Sequence, residues 1–368
     1  MPLVLWATLL VVYGSVMVAS ATTGMEGGRG MLIRHVVGIV VGIVALVVLW
    51  AIDYTKLRAW QGPLIALGVL LLVSPRIPGL SGTAKGATSW LEVFGVRLFQ
   101  PSEPAKLIFI VVIAAAIAQY EGNIDRVRDV GRVLAYLFGA VVLIMLQPDL
   151  GTGLVFVAIT IAMLIAGGMK GRYFAYLALA SVLLVGGALA VDSTLDRIAG
   201  KDVALKDYQE DRLLVFLQPD RDPAGAGYNL AQAKIAIGSG GLTGKGLGSG
   251  TQSNLHFIPE RHTDFIFAVL GEETGFFGAM LLLGVYLALL VSALAVATSS
   301  RDLYGALIAV GIIGMWLFQI LENVGMTIGM MPITGIPLPF MSFGSSAMVT
   351  NLAAIGLLLS VWSRRYGT

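Results

Sequence analysis

The chain has no cysteine and few charged residues. None of its 368 residues is cysteine, which excludes disulfide bonds and thiolate chemistry. Charged residues make up 12% of the chain, whereas a soluble domain carries about 25%. The net charge of +2 is too small to indicate nucleic-acid binding, so we expect no nucleic-acid partner.

Apolar residues are abundant and come in long blocks. They make up 57% of the chain, and the mean hydropathy of +0.85 is too high for a soluble protein of this length. Glycine is also frequent, with 46 residues, as expected where transmembrane helices pack closely. The sequence therefore predicts an all-α, polytopic integral membrane protein that forms a single domain over residues 1–368.

Ten apolar segments are long enough, or nearly long enough, to cross a bilayer, which requires about 20 residues. No lysine or arginine precedes the first segment, so it lacks the basic region of a signal peptide, and we interpret it as a retained span. The eighth is too long for the bilayer core and is expected to tilt or to project from the membrane. The predicted spans are 3–21, 36–52, 59–74, 104–120, 132–146, 151–168, 172–191, 265–298, 304–329 and 345–362.

The short loops carry an asymmetric distribution of basic residues. If the N-terminus is cytoplasmic, the inner loops hold most of the lysine and arginine, which is the arrangement that the positive-inside rule favours. Both termini are then cytoplasmic, and two segments lie outside, 75–103 and the large extracytoplasmic loop 192–264. The inner-loop residues are Lys56, Arg58, Arg126, Arg128, Arg132, Lys170, Arg172, Arg301, Arg364 and Arg365.

Several charged side chains lie at or inside the predicted spans, where they are costly unless they have a partner or a wet cavity. Glu103 and Lys106 are three residues apart and are neighbours on one helical face. They form either a self-neutralising structural pair or part of a polar cavity open to the outer leaflet, and both interpretations are compatible. Glu272, Glu273 and Glu322 complete the set.

The glycine-rich stretch 238–250 contains Lys245 but does not fit a nucleotide-binding P-loop, because Gly246 follows the lysine where a Ser or Thr is required. Its backbone N–H groups could approach a pyrophosphate, although the spacing alone favours a flexible re-entrant turn. Downstream, four potential metal ligands cluster before the eighth span, without a spacing that fixes a metal geometry. They are His256, Glu260, His262 and Asp264.

Asp264 stands directly before the apolar run that begins at Phe265. Thr263 or Asp264 could cap the following helix, but no Glu or Gln follows either residue at the third position, so no capping box is present. A carboxylate at the mouth of an outward-facing span is also suited to general-base chemistry. The residues alone leave both roles open, with Lys245 and Arg261 as nearby cations that could hold a pyrophosphate.

Several segments together resemble the SEDS family (shape, elongation, division and sporulation) over essentially the whole chain. The matching stretches are Phe99-Gln-Pro-Ser-Glu103 with Lys106, Gln147-Pro-Asp-Leu-Gly-Thr152, 225–230, 235–246, Pro259-Glu-Arg-His-Thr-Asp-Phe-Ile-Phe267 with Glu272 and Glu273, and Pro332-Ile-Thr-Gly-Ile-Pro-Leu-Pro-Phe340. Within the family, Ser239-Gly-Gly-Leu and Gly244-Lys-Gly are closer to the rod-shape branch than to the division branch. Ser89 and Ser345 depart from the usual pattern.

The resemblance implies a peptidoglycan glycosyltransferase of the bacterial cytoplasmic membrane that polymerises lipid II on the outer face during elongation. It implies partners, namely a class B penicillin-binding protein (a transpeptidase) and other membrane proteins of the elongation complex, and a divalent cation, Mg or Mn. It also maps the essential acidic residue onto Asp264 and the charged cavity pair onto Glu103 and Lys106. Further expected substrate-binding or cavity residues are Gln100, Ser102, Trp90, Lys85, Lys245, Glu260, Arg261, His262, Thr263, Ser342 and Ser346.

Two other functions stay open at this point. A lipid II flippase would also have buried charges in its spans, but transporters often show internal repeats, and none is visible here. A non-catalytic scaffold of the elongation machinery would need no substrate site at all. Purified protein given lipid II alone would distinguish the three.

Overall fold

Helices dominate the computed structural model, which describes residues 2–77, 81–84, 87–93, 96–147, 149–176, 178, 225–255 and 257–366. In chain order, the helices are α1 Pro2–Thr22, α2 Gly28–Ala51, α3 Tyr54–Ala59, α4 Gln61–Val73, α5 Ser102–Ala118, α6 Val127–Met145, α7 Leu150–Ala166, α8 Ala226–Gly240, α9 Thr251–Asn254, α10 Ile266–Thr298, α11 Leu303–Ile328 and α12 Ser345–Ser363.

Nine of the ten predicted spans coincide with a described helix, namely α1, α2, α4 to α7 and α10 to α12. The remaining predicted span, 172–191, and the first part of the predicted loop 192–264 lie largely outside the described residues. In the described part of the chain, α1, α2, α10, α11 and α12 are long and apolar enough to cross a membrane. The prediction of a helical, polytopic membrane protein is confirmed.

Helix α2 begins earlier than predicted. It starts at Gly28 rather than near residue 36, so Arg29 and Arg34 lie within the helix and not in a loop. The apolar run alone set the predicted boundary, whereas a helix can continue beyond the bilayer core for as long as its backbone hydrogen bonds are satisfied.

The segment between α4 and α5 contains a small antiparallel sheet, which the sequence did not indicate. Its strands are β1 Ser81–Ala84, β2 Ala87–Val93 and β3 Val96–Phe99, in the order β1-β2-β3. Trp90 lies on β2 opposite Gly82, and Leu91 pairs with Phe99 at the end of β3. The sheet therefore leads directly into Gln100 and the start of α5.

Helices α2 and α12 pack closely through glycine. An ideal Cβ at Gly42 would lie 2.5 Å from Leu352 Cδ1, and one at Gly356 would lie 2.3 Å from the carbonyl oxygen of Leu46. Gly38 and Gly42 form a small-xxx-small pattern that lets two membrane helices approach at backbone distance. Helix α11 packs against α5, α7 and α10, and its buried face forms the centre of the bundle.

Helix α10 is broken at Gly275, whose φ of 66° and ψ of −163° are not helical. The break divides the 33 residues into a short first part and a second part of about 34 Å, calculated at 1.5 Å per residue. The second part matches the thickness of a bilayer core. The surplus length that the sequence analysis assigned to tilt or projection is therefore taken up by a break.

The glycine-rich stretch 238–250 closes this break. The backbone N–H groups of Lys245 and Gly246 donate to the carbonyls of Glu272 and Glu273, both at 3.0 Å. In the other direction, Phe276 and Phe277 donate to the carbonyls of Gly241 and Leu242, at 2.9 and 3.1 Å. The stretch thus satisfies backbone groups that the break would leave unpaired, and we call this arrangement the glycine clasp.

Candidate active site

Asp264 lies in a chain of turns that leads into α10. Thr263 N and Phe265 N both donate to the carbonyl of Glu260, at 3.2 and 3.1 Å, and Thr263 Oγ1 donates to the Glu260 carboxylate at 2.9 Å. Phe265 occupies the N-cap position of α10, and its side chain makes no cap hydrogen bond. The Asp264 carboxylate lies one residue before this position and is half-buried, so the cap role and the catalytic role of Asp264 both stay predictions.

The loop 329–344 is held against the segment that carries Asp264. Ser342 Oγ donates to the carbonyl of Thr263 at 2.7 Å, and Phe343 N donates to the carbonyl of His262 at 2.9 Å. Within the loop, Leu338 N donates to Ser342 Oγ at 2.8 Å. Thus Ser342 and the backbone of residues 262 and 263 fix the loop beside Asp264, and the loop lines one side of the candidate site.

Gly335 is the point at which this loop comes close to the Asp264 carboxylate. An ideal Cβ on Gly335 would lie 3.5 Å from Asp264 Oδ2, and Gly335 has a φ of +76°, a value that favours glycine. A side chain here would be strained and would cover the carboxylate. Glycine at this position therefore keeps the carboxylate accessible from the loop side.

Gly335 also lines a polar cavity of about 50 Å³ at the start of α5, and Asp264 is not itself among the lining residues. Lys106 Nζ and Glu103 Oε1 lie 2.8 Å apart in the cavity wall, with side chains only 2% and 5% exposed. The structure therefore contains the ion pair that the spacing predicts. The other lining residues are Gln100, Asp149, Thr152, Val155, Gln319, Ile336 and Pro337.

Hydrogen bonds connect the cavity to two further helix starts. Gln100 N donates to Ser346 Oγ in the first turn of α12, at 2.9 Å, and Gln100 Nε2 donates to Asp149 Oδ2 at 3.3 Å. Asp149 caps α7 by accepting from Thr152 N at 3.0 Å. Buried Ser102 has no hydrogen-bond partner for its hydroxyl among the described residues. Gln100 and Ser346 therefore shape the cavity rim.

Lys245 and Arg261 are engaged by the protein itself. Lys245 Nζ forms an ion pair with Glu272 Oε1 at 2.8 Å and donates to Thr251 Oγ1 at 2.7 Å. Arg261 is 1% exposed and donates from Nε to the carbonyl of Ala21 at 2.7 Å, at the end of α1. Burial lowers the pKa of Arg261, and the neighbouring Glu273 carboxylate opposes this shift. These contacts are structural, and a role for either cation at a pyrophosphate stays a prediction.

The remaining predicted residues are spread around this arrangement. The His262 ring packs against Phe343, with ring centroids 5.5 Å apart, and half-buried Glu260 accepts from Thr263. Trp90 is half-buried on β2 and is not among the residues that line the cavity. Lys85 lies outside the described residues.

A divalent cation would find few protein ligands here. In the described part of the chain, which leaves out His256, no three His, Asp or Glu side chains converge as a metal site would require. Magnesium, however, is commonly held by one or two carboxylates together with substrate phosphates. The single carboxylate of Asp264 could hold a magnesium ion together with substrate phosphates. The expected cation therefore stays a prediction that depends on the substrate.

Four residues at the site were not predicted as site residues: Asp149, Gln319, Asn323 and Gly335. Asp149 and Gly335 lie in stretches that carried the family resemblance, but their roles depend on contacts that no spacing indicates. Gln319 and Asn323 are polar residues inside an apolar helix, which is itself a signal of function. That signal could have identified both of them.

Comparisons with known proteins agree with this geometry. Residues 1–366 match the family model FtsW/RodA/SpoVE, described as cell cycle protein. The chain is 35% identical over 371 residues to the probable peptidoglycan glycosyltransferase FtsW of Trichlorobacter lovleyi, covering 98% of this chain and 92% of that protein. It is 35% identical over 356 residues to the peptidoglycan glycosyltransferase MrdB of Escherichia coli K12, covering 97% and 91%.

A solved structure is also similar over the full length. It comes from work on the coordination of polymerization and crosslinking by a peptidoglycan synthase complex. The similar chain has a TM-score of 0.83 and 31% sequence identity, and the alignment covers 100% of this chain and 98% of that one.

Proposed function

The chain belongs to the FtsW/RodA/SpoVE family of cell cycle proteins, and from this premise we propose that Asp264 is the catalytic base of a lipid II polymerase. The protein is a peptidoglycan glycosyltransferase of a membrane. The proposal adds the substrate, lipid II as both donor and acceptor, and the residue that activates the acceptor. It also adds a role in cell elongation, because Ser239-Gly-Gly-Leu and Gly244-Lys-Gly are closer to the rod-shape branch of the family than to the division branch.

The observation that carries the proposal is the position of Asp264. Its half-buried carboxylate stands at the start of α10, faces Gly335 and lies beside a loop that also lines the polar cavity with Glu103 and Lys106. A bilayer keeps a polyprenyl tail in its core while pyrophosphate and sugars stay at the interface. A carboxylate at a helix mouth is therefore at the right depth for the reacting sugar.

The reaction needs one base. The 4-hydroxyl oxygen of the acceptor sugar forms a bond to the anomeric carbon of the donor, and the bond from that carbon to the pyrophosphate oxygen breaks with its electron pair. Asp264 takes the hydroxyl proton as the new bond forms, which contributes typically 10²–10⁴-fold. An α-linked donor gives a β-linked product, so one displacement suffices and no covalent enzyme intermediate is required.

The departing pyrophosphate needs charge neutralisation rather than a protonating acid. Lys106 is the cation that lines the cavity, although its pair with Glu103 offsets much of its charge. We therefore keep a divalent cation as part of the proposal, for which Asp264 would be a protein ligand alongside substrate phosphates. Such a cation would stabilise the negative charge that develops on the leaving group.

Orientation and partners are further parts of the proposal. The excess of lysine and arginine in the predicted inner loops supports cytoplasmic termini and an outward-facing Asp264. The similar solved chain comes from a complex that coordinates polymerization and crosslinking. This supports a class B penicillin-binding protein as the partner that crosslinks the strands, within a larger elongation complex.

The test is polymerisation by the purified protein, given lipid II alone in a defined membrane. We expect glycan chains from the wild type and a loss of about 10²–10⁴-fold in Asp264→Asn, which keeps the size of the side chain but removes the base. Asp129→Asn is the matched control, because Asp129 lies in the first turn of α6 at the opposite end of α5 from Glu103.

Three outcomes are informative. A wild-type rate in Asp264→Asn would remove Asp264 from the mechanism and direct the search for the base to Glu260. Transfer of lipid II across the membrane without polymerisation would support a flippase. Neither transfer nor polymerisation, with a folded wild-type protein, would support a scaffold.

A further inference from the structure

Asn323, a fully buried side chain on α11, connects Asp264 to the cavity-lining loop. Its amide nitrogen donates to the carbonyl of Asp264 and to the carbonyl of Ile336, both at 2.9 Å. The two acceptors are distant in sequence from each other and belong to the two segments that form the candidate site. One side chain therefore holds both segments at a fixed separation.

The chemistry of this contact requires an amide. The nitrogen of asparagine carries two hydrogens, and each hydrogen meets one of the two carbonyls. An aspartate would place a carboxylate oxygen against two carbonyl oxygens, and an apolar side chain would remove both donated hydrogen bonds. Asn323 Oδ1 is itself buried without a partner among the described residues, so the side chain's stabilising hydrogen bonds are those two donations.

The neighbouring residue holds the same loop in a different way. Glu322 Oε1 accepts from Thr334 Oγ1 at 2.6 Å, immediately before Gly335. This contact fixes the loop to α11, whereas only the Asn323 contact also reaches the Asp264 backbone. Of these two α11 side chains, Asn323 is the one that joins the loop to the Asp264 backbone, and it adds to the contacts of Ser342 and Phe343 with residues 263 and 262.

We infer that Asn323 is a positioning residue that fixes the distance between the Asp264 carboxylate and the polar cavity. The inference rests on the proposed function of Asp264. Asn323 donates to the backbone carbonyl of Asp264 and acts through the backbone. Misplacement of a catalytic group by about 1 Å can cost on the order of 10²-fold in rate, so loss of both hydrogen bonds is expected to lower turnover by about that factor.

The test compares Asn323→Leu and Asn323→Gln with the wild type. Leucine has a similar size and no donor, whereas glutamine keeps both donors on a longer stem. We expect Asn323→Leu to lose about 10²-fold in kcat with an unchanged KM for lipid II, and Asn323→Gln to recover part of the loss. Hydrogen exchange at the amides of residues 333–338 should accelerate in Asn323→Leu.

Ser360→Ala is the matched control. The Ser360 hydroxyl also joins separate backbone segments, since it accepts from Tyr54 N at 3.2 Å and donates to the carbonyl of Ile52 at 2.6 Å. It lies 14 residues after Ser346 on α12, about 21 Å away along the helix axis. Ser360→Ala should lower thermal stability without changing kcat or the exchange of residues 333–338.

The outcomes separate the inference from the function on which it rests. Full turnover in Asn323→Leu, or lost turnover with unchanged exchange in residues 333–338, would overturn the inference. A wild type that does not polymerise, together with faster exchange in Asn323→Leu, would refute the proposed function and leave the connection between the two segments supported.

Discussion

Gly275, at the break in α10, is a position where a single methyl group should disrupt the fold. Its φ of 66° and ψ of −163° fall in a region that is essentially restricted to glycine. An ideal Cβ there would lie 2.3 Å from Gly244 N and 2.8 Å from the carbonyl carbon of Leu242. Gly275→Ala therefore cannot keep both the break and the glycine clasp.

The expected cost follows from these contacts. The backbone conformation alone costs an alanine on the order of 1–3 kcal/mol. The clasp contains four hydrogen bonds between 2.9 and 3.1 Å, each worth a net ~0.5–1.5 kcal/mol. If the methyl group breaks two of the four, Gly275→Ala loses a total of about 2–6 kcal/mol of stability.

Gly284→Ala, on the same helix, is the control. Gly284 lies in the regular part of α10, and among the described residues no heavy atom lies within 4 Å of an ideal Cβ at this position. The same substitution should therefore stabilise the helix by about 0.5–1 kcal/mol.

The assay is the half-life of the monodisperse protein in one detergent at a fixed elevated temperature, because membrane proteins of this size commonly unfold irreversibly. Gly275→Ala should lose its monodisperse peak much faster than the wild type, and Gly284→Ala should not. Equal half-lives for the two variants would refute the reasoning, since the clasp would then contribute nothing to stability.

Two further predictions concern the charges and the topology. Lys106→Ala should cost about 3–5 kcal/mol, because it leaves Glu103 buried and unpaired, and the double variant Glu103→Gln with Lys106→Met should cost less than the sum of its single substitutions. Additive effects in that cycle, measured by thermal stability, would show that the pair is not coupled. A single cysteine at Ser249 should react with an impermeant reagent only from the extracytoplasmic side. Labelling only from the cytoplasmic side would show that the predicted orientation is wrong. Because the chain has no cysteine of its own, no native cysteine has to be replaced first.

The sequence predicted the spans well because the bilayer imposes a simple requirement. Each span needs about 20 apolar residues, and a run of that length is visible without knowledge of its neighbours. The ion pair of Glu103 and Lys106 could also be predicted, since a spacing of three residues on a helix brings two side chains to one face. Both predictions depend on local properties of the chain.

The glycine clasp and the Asn323 contact could not be predicted in this way. A glycine such as Gly275 inside an apolar run is compatible with a regular helix, and the break becomes evident only when stretch 238–250 is seen to satisfy its backbone. Similarly, Asn323 is separated from Asp264 by 59 residues. Such contacts depend on which helices become neighbours, and the pattern of a single helix does not contain that information.

The side chains that line the polar cavity carry more negative than positive charge, so they do not by themselves favour the binding of an anion. Lys106 is offset by Glu103, and Asp149 adds a further carboxylate. However, α5 and α7 begin at this cavity, through Glu103 and Asp149, and α12 begins next to it, where Ser346 accepts from Gln100 N. Helix N-termini carry a partial positive charge that favours anions. The three helix starts therefore offset the excess carboxylate, and a cation held by Asp264 would add the remaining positive charge that a diphosphate requires.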